Sequence, residues 1–297
     1  MKDIGKDNYV STTTVARFMA KLDNVFNVDF SYLPENLSFD EFKSTKDAKG
    51  AMSFIYLNAD NHKIIDVVEN RQLNFLRRYF SCFPKYVRDK VKTVCVDMYS
   101  PYISLIKELF VNAEIIIDRF HIVKLFSNSF NHTRIDTMKK YSPSNIKYKR
   151  LKKYWKNFLK PYKLLNTKYF LKRIHFPGKL VSDEDIVDIS LDVNKTLKNT
   201  YDCYQCLRED IEKRDFELFK FHLNYFKDKV SDKMRTSMVT CIYYLEYIKN
   251  SFIYDYSNGP IEGINNFIKV LKRIAFGYRN FANFRTRIFI TRNLLAN

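Results

Sequence analysis

A mixed α/β core interrupted by helices is the fold class this sequence predicts. Three observations carry it. Five short apolar runs of strand length lie between Leu33 and Asp118. Stretches of helical periodicity separate the last three, as crossover connections between parallel strands require. Beyond Phe120 the apolar spacing becomes helical and stays so almost to the C-terminus.

Taken in order, residues 11–23 open with hydroxyl side chains suited to capping, then place Val15, Phe18, Met19 and Leu22 at helical spacing. This segment is either the second helix of a helix-turn-helix or a plain N-terminal helix. Leu37 to Phe42 reads as a strand carrying Asp40 and Glu41. Met52–Leu57 and Lys63–Val68 are two further strands joined by the turn-rich Asn58-Ala-Asp-Asn-His62. Arg71 to Phe83 is helical through Leu73, Leu76 and Phe80. Val91–Val96 runs apolar into Asp97, Pro101–Phe110 is a short helix, and Ala113–Ile117 is a strand ending at Asp118. Three strands able to form a meander, then two strands reached through helices, is the order of the ribonuclease-H-like fold with a mixed five-stranded sheet. Tyr141 to Lys163 interleaves lysines and arginine with Tyr148, Tyr154 and Trp155, and residues 183–250 read as two or three more helices.

The domain plan expected is a remnant of an N-terminal DNA-binding helix-turn-helix region over 1–32 and a first part of the catalytic core over 33–140. A helical insertion follows over 141–250, and core helices carrying a glutamate occupy 251–297.

Lys and Arg number 51 against 33 Asp and Glu in 297 residues, a net charge of +18. Such a charge calls for an anionic partner, most commonly DNA or RNA, although a compositional bias towards Lys, Asn, Ile, Tyr and Phe would give the same excess. Five scattered cysteines include Cys203-x-x-Cys206, but no second pair completes a zinc site, so these read as ordinary thiols on a helix. No apolar run approaches the ~20 residues that span a membrane, and the N-terminus has no signal-like apolar stretch. No membrane partner and a cytoplasmic location are expected.

Three carboxylates stand where phosphodiester chemistry would use them. Asp40 lies on the first strand, Asp97 ends the fourth, and Glu262 follows Gly259-Pro260, a helix-start signal. Cutting a polyanion needs an activated nucleophilic oxygen and a stabilised leaving oxygen, which two hard cations ~4 Å apart can provide. Carboxylates suit Mg²⁺. Any one of these residues, taken alone, reads more readily as a solvated strand-end or turn carboxylate.

Their surroundings are more specific. Val94-Cys-Val-Asp-Met-Tyr-Ser-Pro-Tyr102, Asn112-Ala-Glu-Ile-Ile-Ile-Asp-Arg-Phe-His-Ile-Val-Lys124, Asp40-Glu-Phe42 and Ser257-Asn-Gly-Pro-Ile-Glu-Gly-Ile-Asn-Asn-Phe-Ile-Lys269 with its continuation to Phe281 resemble the ISL-three family of insertion-sequence transposases. The resemblance runs from about Asp40 to the C-terminus, more loosely through the helical segment. It implies a DDE transposase that moves an insertion sequence. Asp40, Asp97 and Glu262 would be the catalytic and metal-binding residues, with two Mg²⁺ ions for which Mn²⁺ may substitute. It further implies DNA as partner, at element ends and target, and a homo-oligomer on DNA. Family members carry a zinc ribbon and a complete helix-turn-helix ahead of the first Asp. Here 39 residues precede Asp40, so a shortened member is expected.

Asp118 and His121 are further candidates, for orienting a water at the metal or contacting the scissile phosphate; the alternative is a helix cap and a packed imidazole. Glu41 should face the opposite side of the sheet from Asp40. Lys269, Lys272, Arg273 and Arg279, with Arg285 and Arg287 beyond them, are candidate phosphate contacts or else a solvated basic face. Trp155 and its tyrosines read as core positions of the helical segment, with base stacking as the alternative. Besides an active transposase, the sequence admits a truncated, non-catalytic DNA-binding remnant or competitor, and thirdly a ribonuclease-H-like nuclease with a different substrate.

Overall fold

The computed structural model describes residues 6–23, 26–275 and 277–295. They form two compact units, one from residues 1–118 and 256–297, the other from Arg119–Asp255. The elements of the first are α1 (Thr12–Asp23), β1 (Asn36–Lys43), β2 (Met52–Asn58), β3 (Ile64–Val68), α2 (Leu73–Ser81), α3 (Lys85–Arg88), β4 (Thr93–Val96), α4 (Ser100–Leu109) and β5 (Glu114–Ile117).

The second unit contains α5 (Arg119–Lys139), α6 (Ile146–Lys153), α7 (Trp155–Leu159), the two-residue strands β6 (Leu171–Lys172) and β7 (Leu180–Val181), α8 (Asp183–Leu191), α9 (Lys195–Lys213), α10 (Phe216–Tyr225), α11 (Asp232–Tyr243) and α12 (Leu245–Ile253). The chain then returns to the first unit for α13 (Gly259–Ile274) and α14 (Phe281–Leu295).

The sheet order is β3-β2-β1-β4-β5. Short loops keep β1–β3 an antiparallel meander, and helices α2–α4 return the chain so that β4 and β5 run parallel to β1. The turn after β2 is made by Asx bonds. Asp60 N–H donates to Asn58 Oδ1 at 2.8 Å, Lys63 N–H donates to Asn61 Oδ1 at 3.0 Å, and His62 takes the left-handed φ of 59°. This is the ribonuclease-H-like arrangement that the strand order predicts.

Because strand side chains alternate, the two faces carry different residues. Phe39, Phe54 and Tyr56 meet Phe80 and Phe110 on one face, in stacked and edge-on contacts. Phe42, Ile55, Leu57 and Val67 meet Ile261, Ile264, Ile268 and Phe284 on the other. The α13 pattern, isoleucine every three or four residues, exists to cover that face. Asp40 shares the α13 face. Glu41 points to the opposite one, where it pairs with Arg71 and accepts the Tyr102 hydroxyl at 2.8 Å.

Two expectations need correction. Residues 183–253 form five helices, not two or three, because their connections are too short to break the apolar rhythm. Within the 141–163 stretch, α6 and α7 meet at Tyr154. Trp155 is 41% exposed; Leu151 and Phe158 are the core positions of that stretch. Cys203 and Cys206 do lie on one helix, α9, where burial pushes both thiols up, Cys206 to about 11. α1 packs beside α14. No helix among the described residues is long and apolar enough to cross a membrane.

Candidate active site

Asp40, Asp97 and Asp118 form a row across three adjacent parallel strands, Asp97 and Asp118 just past the ends of β4 and β5 and Asp40 within β1. The β1–β4 ladder pairs Ser38 with Cys95, and the β4–β5 ladder pairs Val96 with Ile117. The same registers carried onward put Asp40 level with Asp97 and Asp97 level with Asp118, all on the α13 face. The Asp118 N–H extends the second ladder by donating to Val96 O at 3.0 Å. Ligand oxygens of Asp97 and Asp118 lie within 4.8 Å of each other. Asp118 is buried, and the other two are half-buried.

Neutral amides hold the row. Asn258, buried at the start of α13, donates through Nδ2 to Asp97 Oδ1 at 3.2 Å and to Phe39 O at 3.1 Å. Its backbone N–H donates to Asp118 Oδ1 at 3.1 Å. Two turns on, Asn265 donates to Asp40 Oδ2 at 2.7 Å, and Asp40 Oδ1 accepts the Glu41 N–H at 2.7 Å. Glu262 is exposed on the first turn of α13. Spacings of four from Asn258 and three to Asn265 put it on the stripe that these clamps define. Within this unit the carboxylates brought together are therefore Asp97 and Asp118, with Asp40 in the row and Glu262 at its rim. His121 begins the other unit, on the first turn of α5.

Neither asparagine stands out in the sequence. Both border the buried stripe Ile261-Ile264-Ile268, and a polar amide repeated seven residues on along such a border is the signal that points to them. Each leaves its own Oδ1 buried without a donor. An orphaned buried acceptor costs roughly 1–3 kcal/mol, a cost that a cation or its water can relieve. With the carboxylates, this all-oxygen donor set fits a hard divalent ion.

The basic candidates separate sharply. Lys269, Arg273 and Arg279 are exposed. Lys272 is turned inward. Its ammonium donates to Lys43 O and to Ser44 O, the latter at 2.9 Å, and lies 4.9 Å from the Phe284 ring centre. Burial, with the charge of Lys43, pushes its pKa down. Arg285 is not on a solvated face either. It is half-buried against the buried Asp66 at 2.6 Å, with side-chain exposures of 13% and 7%. Burial raises the Asp66 pKa despite the opposing pull of Arg285. Arg279 and Arg287 rim an apolar groove of about 680 Å³ lined by Val15, Phe267 and Ile274.

A family model described as transposase, of the ISL-three type, matches residues 37–288 and so most of the chain, including both ends of the aspartate row and all of α13. The chain belongs to the ISL-three transposase family. Among curated relatives, the transposase for insertion sequence element IS1001 of Bordetella parapertussis is 23% identical over 289 residues, covering 94% of this chain and 65% of its own. A Lactococcus lactis subsp. lactis protein named ATP-dependent protease is 38% identical over 122 residues, covering 41% of this chain and 38% of its own. The chain thus spans less than two thirds of the length of either relative. The transposase match extends along almost the whole chain, whereas the other ends within less than half of it.

Proposed function

We propose that this chain is the catalytic part of a DNA transposase, hydrolysing a phosphodiester at an insertion-sequence end and joining the freed 3′-hydroxyl to target DNA. The observation that carries this reading is the level alignment of Asp40 and Asp97 on adjacent parallel strands, clamped by asparagines from α13. Asp40, Asp97 and Glu262 are the catalytic set, and Asp118, bonded through Asn258 to the same helix start, supports Asp97. Two divalent ions held there, Mg²⁺ or Mn²⁺, would neutralise charge on the attacking and leaving oxygens.

The chain's own residues do the remaining work. Asn265 and Asn258 fix carboxylate rotamers, so that the oxygens are in place before DNA arrives. Glu262 supplies the third carboxylate from the first turn of α13, where the helix N-terminus also favours an anionic phosphate. Lys269, Arg273 and Arg279 neutralise phosphates of the bound duplex. Lys272 contributes indirectly, by fastening α13 to the end of β1. A homo-oligomer that pairs two element ends is part of the same proposal.

The test is strand nicking of a terminal-repeat duplex in Mg²⁺ and in Mn²⁺, beside an RNA–DNA hybrid of the same sequence. Nicking at the repeat end, abolished in Asp97→Asn, is the expected result. Binding of the repeat without nicking under either metal would leave a non-catalytic DNA-binding protein. Preference for the hybrid would leave a nuclease of another kind.

A further inference from the structure

The helical unit concentrates positive charge in one stretch. Between Asp136 and Asp183 the sequence contains fourteen Lys and Arg residues and no Asp or Glu. Within that stretch the β6–β7 hairpin and the loop before it expose apolar side chains that a soluble protein ordinarily covers. Tyr169 is 74% exposed, Phe170 52% and Ile174 62%.

The segment is rigidly built. Asn166 Oδ1 accepts the N–H groups of Lys168 and Tyr169, and its Nδ2 donates to Tyr169 O at 2.7 Å. Phe176 and Val181 anchor the hairpin base in a small core with Ile186. Arg150 stacks on the Phe176 ring and donates to His175 O at 2.8 Å. Left-handed residues His175 and Gly178, both at φ 71°, close the turn. Tyr169 and Phe170 are thus held outward from a fixed base, which lowers the entropy lost when something stacks on them.

Charge selects the partner. Lys160, Lys163 and Arg173 have carboxylate neighbours within the unit, but the exposed Lys168, Lys172 and Lys179 form no ion pair among the described residues. Three unneutralised ammonium groups around two exposed aromatic rings are complementary to an anionic chain that carries flat apolar groups. We infer that this hairpin, with the Tyr169-Phe170 loop, is a contact for unpaired nucleotides of DNA, its rings stacking on bases and its lysines meeting phosphates. Paired bases hide their faces in the duplex stack, so the rings can engage only unstacked ones. The inference rests on the DNA transposase reading, and it adds a surface remote in sequence from the catalytic carboxylates.

Binding of the full chain to three oligonucleotides tests it: a matched duplex, the same duplex with a four-nucleotide unpaired bubble, and one single strand, each carrying 2-aminopurine. Tyr169→Ala/Phe170→Ala should lose about tenfold or more on the bubble and the single strand, and little on the matched duplex. Tyr169→Trp/Phe170→Trp should restore binding and the quench of 2-aminopurine. Lys168→Ala/Lys172→Ala/Lys179→Ala should flatten the salt dependence on the single strand by about two log units per log unit of salt. Unchanged melting temperatures would confirm that the variants fold. Equal binding of all three DNAs by wild type and aromatic variant would overturn the inference and leave the transposase reading intact. So would an aromatic variant that changes only sedimentation, since a second copy would then own the surface. Failure of the wild-type chain to bind any DNA would take down both.

Discussion

In the sheet unit the half-buried Arg285 meets a buried carboxylate, Asp66, whereas in the helical unit the buried Arg134 meets only neutral oxygens, Leu151 O and Asn131 Oδ1, among the described residues. The contrast extends to whole regions. The sheet unit gathers Asp40, Asp97 and Asp118 from distant parts of the chain into one row that Asn258 and Asn265 bond. The helical unit places fourteen Lys and Arg residues between Asp136 and Asp183 without an intervening carboxylate, and Lys168, Lys172 and Lys179 there form no ion pair among the described residues. An amide clamp orients a carboxylate without adding a charge that would compete with an incoming ion. A carboxylate that only supports the fold, such as Asp66, gains from a cation in contact.

The largest effect expected is on Asp97. Asp97→Asn keeps the size and a hydrogen-bonding side chain but removes the charge, and should lower the nicking rate by about 10³-fold. Because the row crowds like charges, its melting temperature should stay level or rise. A joint loss of activity and several degrees of stability would put Asp97 with Asp66 instead.

Arginine replacement sharpens the same contrast. Arg285→Met strands a buried anion and should cost about 3–5 kcal/mol. Arg134→Met leaves only neutral acceptors unpaired and should cost about 1–2 kcal/mol, both read by urea denaturation. The sign with pH follows from the raised Asp66 pKa. Folded Asp66 binds its proton more tightly than unfolded, so its contribution is most favourable at low pH and is lost as pH rises through the folded value. Removing Arg285 raises that value further. The Arg285→Met deficit should therefore shrink at acid pH, while that of Arg134→Met should not follow it.

Asn258→Ala comes next. It removes the donor shared by Phe39 O and Asp97 Oδ1, and one unmade buried bond should cost about 2 kcal/mol. Nicking should fall with it, since Asp97 loses its rotamer lock. Asn265→Ala, which removes the donor to Asp40 Oδ2 but leaves the helix start intact, should show the activity loss with less destabilisation.

The difference between acids and amides also explains what is legible in the sequence. Strands are legible because apolar runs ending in Asp97 and Asp118 follow from burial on both faces of a sheet, and the meander follows from turn chemistry at Asn58–His62. Face alternation along β1 is enough to set Glu41 apart from Asp40. The clamps are only weakly legible: the seven-residue repeat beside the isoleucine stripe marks the two asparagines but not their partners, and only the fold brings Asn258 to Asp97, 161 positions away. Arg285 and Lys272 belong to a basic series that reads as uniformly solvated. Their inward turn depends on Asp66 and on the carbonyls at the end of β1, which lie more than 200 positions away in the chain. The hairpin leaves no sequence signal because two-residue strands are too short to show alternation.

The basic face of α13 supplies the smallest expected effect and separates two lysines three residues apart. Lys269 is exposed, with its ammonium 3.2 Å from Asn266 Oδ1, so it can still reach a phosphate. Lys269→Ala should leave stability unchanged and weaken duplex binding a few-fold at low salt, flattening the salt slope by about one. Lys272→Ala should do the reverse. It removes the donors to Lys43 O and Ser44 O and the contact with Phe284, so stability should fall by about 1 kcal/mol while the salt slope holds. A matching change in salt slope for both would mean that Lys272 leaves its carbonyls when DNA binds, and that the clamp at the end of β1 opens as the duplex seats.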